Sequence, residues 1–124
     1  MACHCIRGAI SVDENSERSI LNAAHKLLEE IISQNDTSLE DIAGVFFTAT
    51  SDLDAVYPAR AARDMGMTHV PLLCSQEMAV AGSLQRCMRV MVFWNTDKKQ
   101  SEIKHIYLGE ARSLRPDITK GNGQ

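Results

Sequence analysis

Ile20, Leu21, Ala24, Leu27, Leu28, Ile31 and Ile32 recur at helical spacing through an otherwise polar stretch. The pattern predicts an amphipathic helix ending near Gln34-Asn35. Asp13, Asn15 and Ser16 precede it as N-cap candidates, since their short side chains accept hydrogen bonds from the first free amides of a helix. Glu17, Arg18, Lys26, Glu29 and Glu30 take the opposite face, which reads as solvated surface. Residues 4–10 read as a strand, with Cys5, Arg7 and Ala9 on one side and Ile6, Gly8 and Ile10 on the other. After a short turn at Leu39–Ile42, the run from Val45 to Thr50 reads as a buried strand. Pro58 suits the first position of a short helix over Ala59–Met65 that stops at Gly66. Val70–Leu73 is a short strand, placed by Pro71 at an edge or a strand start. Cys74–Met78 is a polar interruption, and Val80–Gln85 a loop with a helical turn. Met88–Trp94 is a strongly apolar strand carrying one charge, and His105–Ala111 the last strand. The glycine-containing end, 119–124, reads as a mobile tail, leaving 1–118 as a single domain. Helices and strands alternate early, and strands follow with little helix between them. That order predicts an α+β fold with a mixed β-sheet and helices packed on one face.

A length of 124 residues limits the chain to one domain, and 44% apolar with 23% charged residues is ordinary for a globular protein in water. The formal net charge of −3 repels nucleic acid and anionic membrane, so no partner of either kind is expected and any anion binding is local. No apolar run approaches the roughly 20 residues that span a bilayer. Met1-Ala2-Cys3-His4-Cys5 lacks the basic segment and apolar stretch of a secretory signal, so a cytoplasmic location is expected. In that setting Cys3, Cys5, Cys74 and Cys87 are expected as thiols rather than disulfides. Alternation along a strand turns His4 away from Cys3 and Cys5, and no second pair stands at ligand spacing, so no metal is expected.

Five arginines change the picture. Arg7, Arg60, Arg63, Arg89 and Arg115 each stand among apolar or small residues instead of in a charge run. Guanidinium groups in such surroundings cost desolvation energy unless an anion meets them. In a slightly acidic chain, they point to a pocket for a small carboxylate-bearing molecule. Arg89, flanked by Met88, Val90, Met91 and Val92, is the sharpest candidate. Its plain alternative is a sheet-end arginine with its head in solvent. Arg7 in the first strand offers a second cation for the same ligand. Tyr107 reads either as a core aromatic or as a ligand contact. Glu77 reads either as an exposed loop acid or, beside cations, as a group that binds a hydroxyl or orients a guanidinium. Cys74 is a possible nucleophile, but His69 is the nearest base in sequence, so a polar contact or packing role is preferred. Arg60 and Arg63 share a helical face. They are solvated there, or paired with Asp52 and Asp54, or turned to the ligand.

Five stretches in order carry a resemblance. They are Ile6-Arg7-Gly8-Ala9, the run from Thr48 to Arg63, Gln76-Glu77-Met78, Cys87-Met88-Arg89-Val90, and the segment from Tyr107-Leu108 through Leu114-Arg115-Pro116-Asp117. Together they make the chain similar, from about Cys5 to Asp117, to the monofunctional chorismate mutases of the small trimeric bacterial type. The resemblance implies a cofactor-free pericyclic rearrangement of chorismate to prephenate in phenylalanine and tyrosine biosynthesis. It implies a homotrimer with each pocket between two subunits and a pseudo α/β-barrel core. By matching position, Arg89 would meet the ether oxygen and a carboxylate, Arg7 and Tyr107 a carboxylate, and Glu77 the ring hydroxyl with Cys74 near that end. Arg63 would stand at the mouth and Tyr57 and Leu73 along the ring, Arg60 and Ala59 would also bind substrate, and Leu114 with Arg115 would help close the site. The chain departs from the family at Tyr57, where phenylalanine is common, and at Arg60, where lysine is common. Ser75, Ala79 and the Cys3-His4-Cys5 start also differ. Two rivals are a trimeric binding module that kept the fold without the chemistry, and a thiol-dependent redox or metal protein using Cys3, Cys5 and Cys74.

Overall fold

The computed structural model describes residues 1–114. Arg115 and the tail expected over 119–124 lie outside the described residues. The elements in order are β1 (Ala2–Ser11), α1 (Glu17–Asn35), β2 (Ile42–Ala49), α2 (Ala59–Asp64), β3 (Leu72–Gln76), β4 (Cys87–Thr96) and β5 (Ile106–Leu108). Short 3-10 turns occupy Leu39–Asp41, Gln100–Glu102 and Gly109–Leu114. The strands form one mixed sheet in the order β3-β2-β4-β1-β5. β4 runs antiparallel to both β1 and β2, while β3 and β5 pair in parallel with β2 and β1. The α+β fold with a mixed sheet is as expected.

Ser16 is the cap of α1: its Oγ accepts the Ser19 amide at 3.1 Å, and Asp36 ends the helix in a left-handed conformation at φ 52°. Ile20, Ala24, Leu27, Leu28 and Ile31 are buried along the helix and join Ile6, Ile10, Phe47, Val90 and Val92 in the main core. Gly8 sets how close α1 comes to β1. A Cβ there would lie 2.9 Å from Ile31 Cδ1 and 3.1 Å from Leu27 Cδ1. Asn15 does not cap the helix. Its side chain instead ties the start of α1 to the loop before α2, donating to Asp54 Oδ1 and accepting from the amides of Asp54 and Ala55.

Several element boundaries differ from expectation: β2 starts at Ile42 and β4 extends from Cys87 to Thr96, and three further differences have a physical cause. The last strand stops at Leu108 because Gly109, at φ +60°, turns the chain into the 3-10 segment that carries Leu114. Cys74, Ser75 and Gln76 are inside β3, not in a polar interruption. Edge position explains this: among the described residues one side of β3 has no neighbouring strand, so polar residues there keep their contact with water. β1 begins at Ala2, ahead of the expected start. Its first half has no β5 partner, and the Gln100 side chain fills that place, accepting from the Cys5 amide at 3.1 Å and donating to the Cys5 carbonyl at 2.7 Å. Two residues on, His105 Nδ1 accepts the Arg7 amide at 2.9 Å.

The two faces of the sheet differ. One carries the helices and the main core. On the other, the strand register sets Leu73, Phe46, Met91 and Arg7 in one row, and Ser75, Thr48, Arg89, Ala9 and Tyr107 in the next. Phe46, Met91 and Phe93 are only half-buried on this second face, and Leu73 is 65% exposed.

Candidate active site

Arg89 lies on β4 between Thr48 of β2 and Ala9 of β1, and Arg7 sits one row further along β1. Both cations therefore project from the face without helices. Glu77 directly follows β3, and its amide continues the ladder by donating to the Ala49 carbonyl at 2.9 Å. This folds the Glu77 carboxylate back over the sheet. Its Oε1 accepts a 2.9 Å hydrogen bond from the Thr48 hydroxyl and lies 3.3 Å from Arg89 Nε, while Oε2 accepts the Met78 amide at 3.2 Å. Arg89 Nε is buried and makes no hydrogen bond among the described residues, so charge alone links it to Glu77. The two side chains remain 37% and 24% exposed. Arg7, Thr48, Glu77, Arg89, Phe46 and Met91 line a cavity of about 170 Å³.

Tyr107 is buried, and its hydroxyl has no hydrogen-bond partner among the described residues. It packs with Ala9, Cys87 and Ala111 in a small cluster at the far end of the Arg89 row, with Leu84 and Leu114 against it. Burial pushes the Cys87 thiol up from its ordinary value, although the charge and hydrogen bond of Arg89 oppose the shift.

The other expected residues lie elsewhere in the chain. Cys74 falls in the row of Phe47, Val90 and Gly8, on the helix-covered face opposite Arg89. Burial raises its pKa, with a hydrogen bond from the Ala59 amide and the charge of Arg63 acting the other way. Cys74 and Tyr57 border a separate cavity of about 590 Å³ with Asp54, Pro58, Ser75 and Gln76. Tyr57 is 73% exposed beside it. Arg60 pairs with Glu17, and Asp52 and Asp54 take Arg86 and Asn15 as partners, so neither is ion-paired to α2. Leu114 lies in the Gly109–Leu114 turn. One chain thus presents two separated groups: Arg7, Glu77 and Arg89 at one cavity on the open face, with Tyr107 buried at the far end of the Arg89 row, and Tyr57, Ala59, Arg63 and Cys74 around α2 and β3.

Sequence reasoning passed over Thr48. Its signal was a hydroxyl inside an apolar strand, which asks for a hydrogen-bond partner once buried. It also passed over His105, whose ring nitrogen takes the place of a backbone acceptor beside Arg7.

The sequence pattern of the family described as chorismate mutase type I matches residues 3–118. The chain belongs to the type I chorismate mutases. Chorismate mutase AroH of Thermus thermophilus is 47% identical over 114 residues, covering 91% of this chain and 93% of that protein. Chorismate mutase AroH of Bacillus subtilis (strain 168) is 45% identical over 115 residues, covering 92% and 91%. A solved chorismate mutase from Clostridium thermocellum superposes with a TM-score of 0.87 at 46% identity, covering 89% of this chain and 98% of the other.

Proposed function

We propose that this chain is an isomerase that rearranges chorismate to prephenate, within phenylalanine and tyrosine biosynthesis. In this pericyclic step the ether C–O bond breaks as a C–C bond forms in the same molecule. No nucleophile, cofactor or metal enters the balance. What remains for a protein is to hold the compact conformer and stabilise negative charge growing on the ether oxygen. The observation that carries the reading is the convergence of Arg7 and Arg89, from neighbouring strands, on one cavity with Glu77. In this role Arg89 meets the ether oxygen, where a cation helps because charge there grows in the transition state. Arg7 and Tyr107 take carboxylates, and Glu77 accepts the ring hydroxyl.

The substrate site is composite in this reading. Ligand pockets run from about 300 Å³ upward, and the arginine cavity of about 170 Å³ is smaller. Completion by a second subunit accounts for Tyr57, Ala59, Arg60, Arg63 and Cys74, which one chain holds apart from Arg89. The half-exposed row of Phe46 and Met91, extended by Leu73, is the apolar surface that such packing would cover. A homotrimer whose open sheet faces meet in a barrel-like core satisfies both requirements. Leu114, in the Gly109–Leu114 turn, helps close the site in the same scheme. A cytoplasmic setting accompanies it, in keeping with four free thiols and with no described helix long and apolar enough to cross a membrane.

The test is the decay of chorismate absorbance with purified protein in chelator, beside Arg89→Ala, with the mass in solution measured in parallel. Rapid decay in the wild type, a loss of about 10²–10³ or more in the variant and a trimer mass support the reading. Binding of chorismate without decay would leave a dicarboxylate-binding module. A monomer with full activity would overturn the composite site.

A further inference from the structure

The run from Thr48 to Arg63 contains Asp52, which the proposed chemistry does not use. Its carboxylate is not paired with the arginines of α2. Both of its oxygens face the backbone amide of Arg86, at 2.9 and 3.2 Å, across 34 residues of chain. The Thr50 hydroxyl donates to Asp52 Oδ1 and in turn accepts the Cys87 amide at 3.0 Å. The Thr50 amide donates to the Cys87 carbonyl at 3.0 Å. On the other side, the Val12 amide donates to the Arg86 carbonyl at 2.8 Å, and Arg86 Nε donates to the Val12 carbonyl at 3.2 Å. At the centre of these contacts Arg86 has φ 44°, a left-handed conformation that a residue with a side chain adopts only when its surroundings impose it.

The position explains the investment in contacts. Arg86 closes the loop that leaves β3 at Glu77 and immediately precedes β4, three residues before Arg89. Glu77 is pinned at the other end of that loop through its amide to Ala49. The loop therefore spans the two groups whose separation defines the cavity, and Asp52 holds the end nearer Arg89.

We propose that Asp52 is a positioning residue for the rearrangement: by clamping the Arg86 amide it closes the 77–86 loop and fixes Arg89 relative to Glu77. The inference rests on the mutase reading of the same site. Asp52 touches no substrate and acts only through the loop. A misplacement of about 1 Å costs on the order of 10²-fold in rate, so a partial release of the loop is visible in kcat.

The experiment compares wild type with Asp52→Ala, Asp52→Asn, Arg86→Gly and the Asp52→Ala/Arg86→Gly pair. It measures kcat and KM for chorismate, cleavage within 78–86 by a nonspecific protease, and Tm. Asp52→Ala is expected to lower kcat by about 10- to 100-fold and to speed cleavage in the loop. Asp52→Asn keeps one acceptor oxygen and is expected to fall between. Arg86→Gly alone keeps kcat within about twofold, since glycine adopts a positive φ freely. For the same reason it restores most of the activity and loop protection when added to Asp52→Ala, because the clamp is no longer needed to impose the conformation. Unchanged kcat in Asp52→Ala overturns the proposal, as does a lower Tm with wild-type kcat per folded molecule, or a kcat loss that Arg86→Gly does not repair. A wild type without mutase activity would sink the parent reading instead, and the loop cleavage data would still report whether Asp52 holds Arg86.

Discussion

Glu77 Oε1 stands 3.3 Å from Arg89 Nε without hydrogen bonding to it, while the Thr48 hydroxyl holds that same oxygen at 2.9 Å. Pairs this exposed contribute at most about 1 kcal/mol to stability. Arg89 is therefore expendable for folding and free to give its guanidinium to a ligand. Arg89→Ala is expected to lower kcat by about 10²–10³ or more with Tm nearly unchanged, checked by steady-state kinetics and calorimetry. Arg89→Lys should also be poor, since an ammonium lacks the guanidinium fork. Near-normal kcat in the lysine variant would exclude a bidentate contact.

Thr48 orients Glu77. A hydrogen bond to a charged group contributes about 1.5–3 kcal/mol, so Thr48→Val, which keeps the shape and removes the hydroxyl, should reduce kcat/KM by about tenfold or more. Thr48→Ser should recover most of the loss. Equal activities for valine and serine variants would show that Glu77 needs no support from the sheet.

Gly8 and Gly44 give a paired test of packing on β1 and β2. A methyl at Gly8 would press on Ile31 and Leu27, whereas at Gly44 its nearest neighbour is the Pro71 carbonyl at 3.6 Å, an ordinary contact. Gly8→Ala is expected to cost about 1–3 kcal/mol by overpacking, and Gly44→Ala much less. Urea denaturation of the two variants measures the difference. Equal midpoints would mean that α1 shifts away freely.

The thiols report burial through their reactivity. Burial raises the pKa of Cys87 and of Cys74, so less thiolate is present at neutral pH. Iodoacetamide should leave Cys87 unmodified in the native protein and modify it readily in urea. The rate at Cys74 should climb with pH above the ordinary thiol range. Fast native labelling of Cys87 at neutral pH would contradict the cluster around Tyr107.

Asp52 carries a pH signature. Its slight desolvation raises the pKa, but hydrogen bonds from Thr50, the Arg86 amide and its own amide, with the Arg86 charge, outweigh this and hold the carboxyl below its ordinary value. A depressed folded pKa gives stability that is present above the unfolded value, about 3.9, and lost as pH falls through the folded one. The Tm gap between wild type and Asp52→Asn should therefore be small but steady near neutrality and close in acid. A gap that widens in acid would reverse the sign of the interaction.

Local patterns in the sequence announced the local parts. The stripe from Ile20 to Ile32 reads directly as α1 because a helix writes its period into neighbouring residues, and Ser16 stands where a cap belongs. Arg89 stood out because a charge inside Met88–Val92 violates its surroundings. What stayed hidden depends on partners far away in sequence. Only strand register shows that Ala9 lies beside Arg89 and brings Arg7 into the same cavity, or that Cys74 faces the opposite side. Asp52 reads as a loop acid until Arg86, 34 residues later, is found turned toward it. Glycine at 109 marked a turn, but an apolar run through His105–Ala111 concealed it.

β1 lies between β4 and β5, so the first strand to be made pairs with the two that are made last. During synthesis it has no edge to join until residue 87 and beyond has emerged. Such long-range pairing slows folding and leaves apolar edges uncovered meanwhile. The same wiring has a consequence for quality control. Arg7 and Arg89 come together only when β1 meets β4, so a nascent or prematurely ended chain holds no half-working arginine cavity, and the site arrives with the completed sheet or not at all.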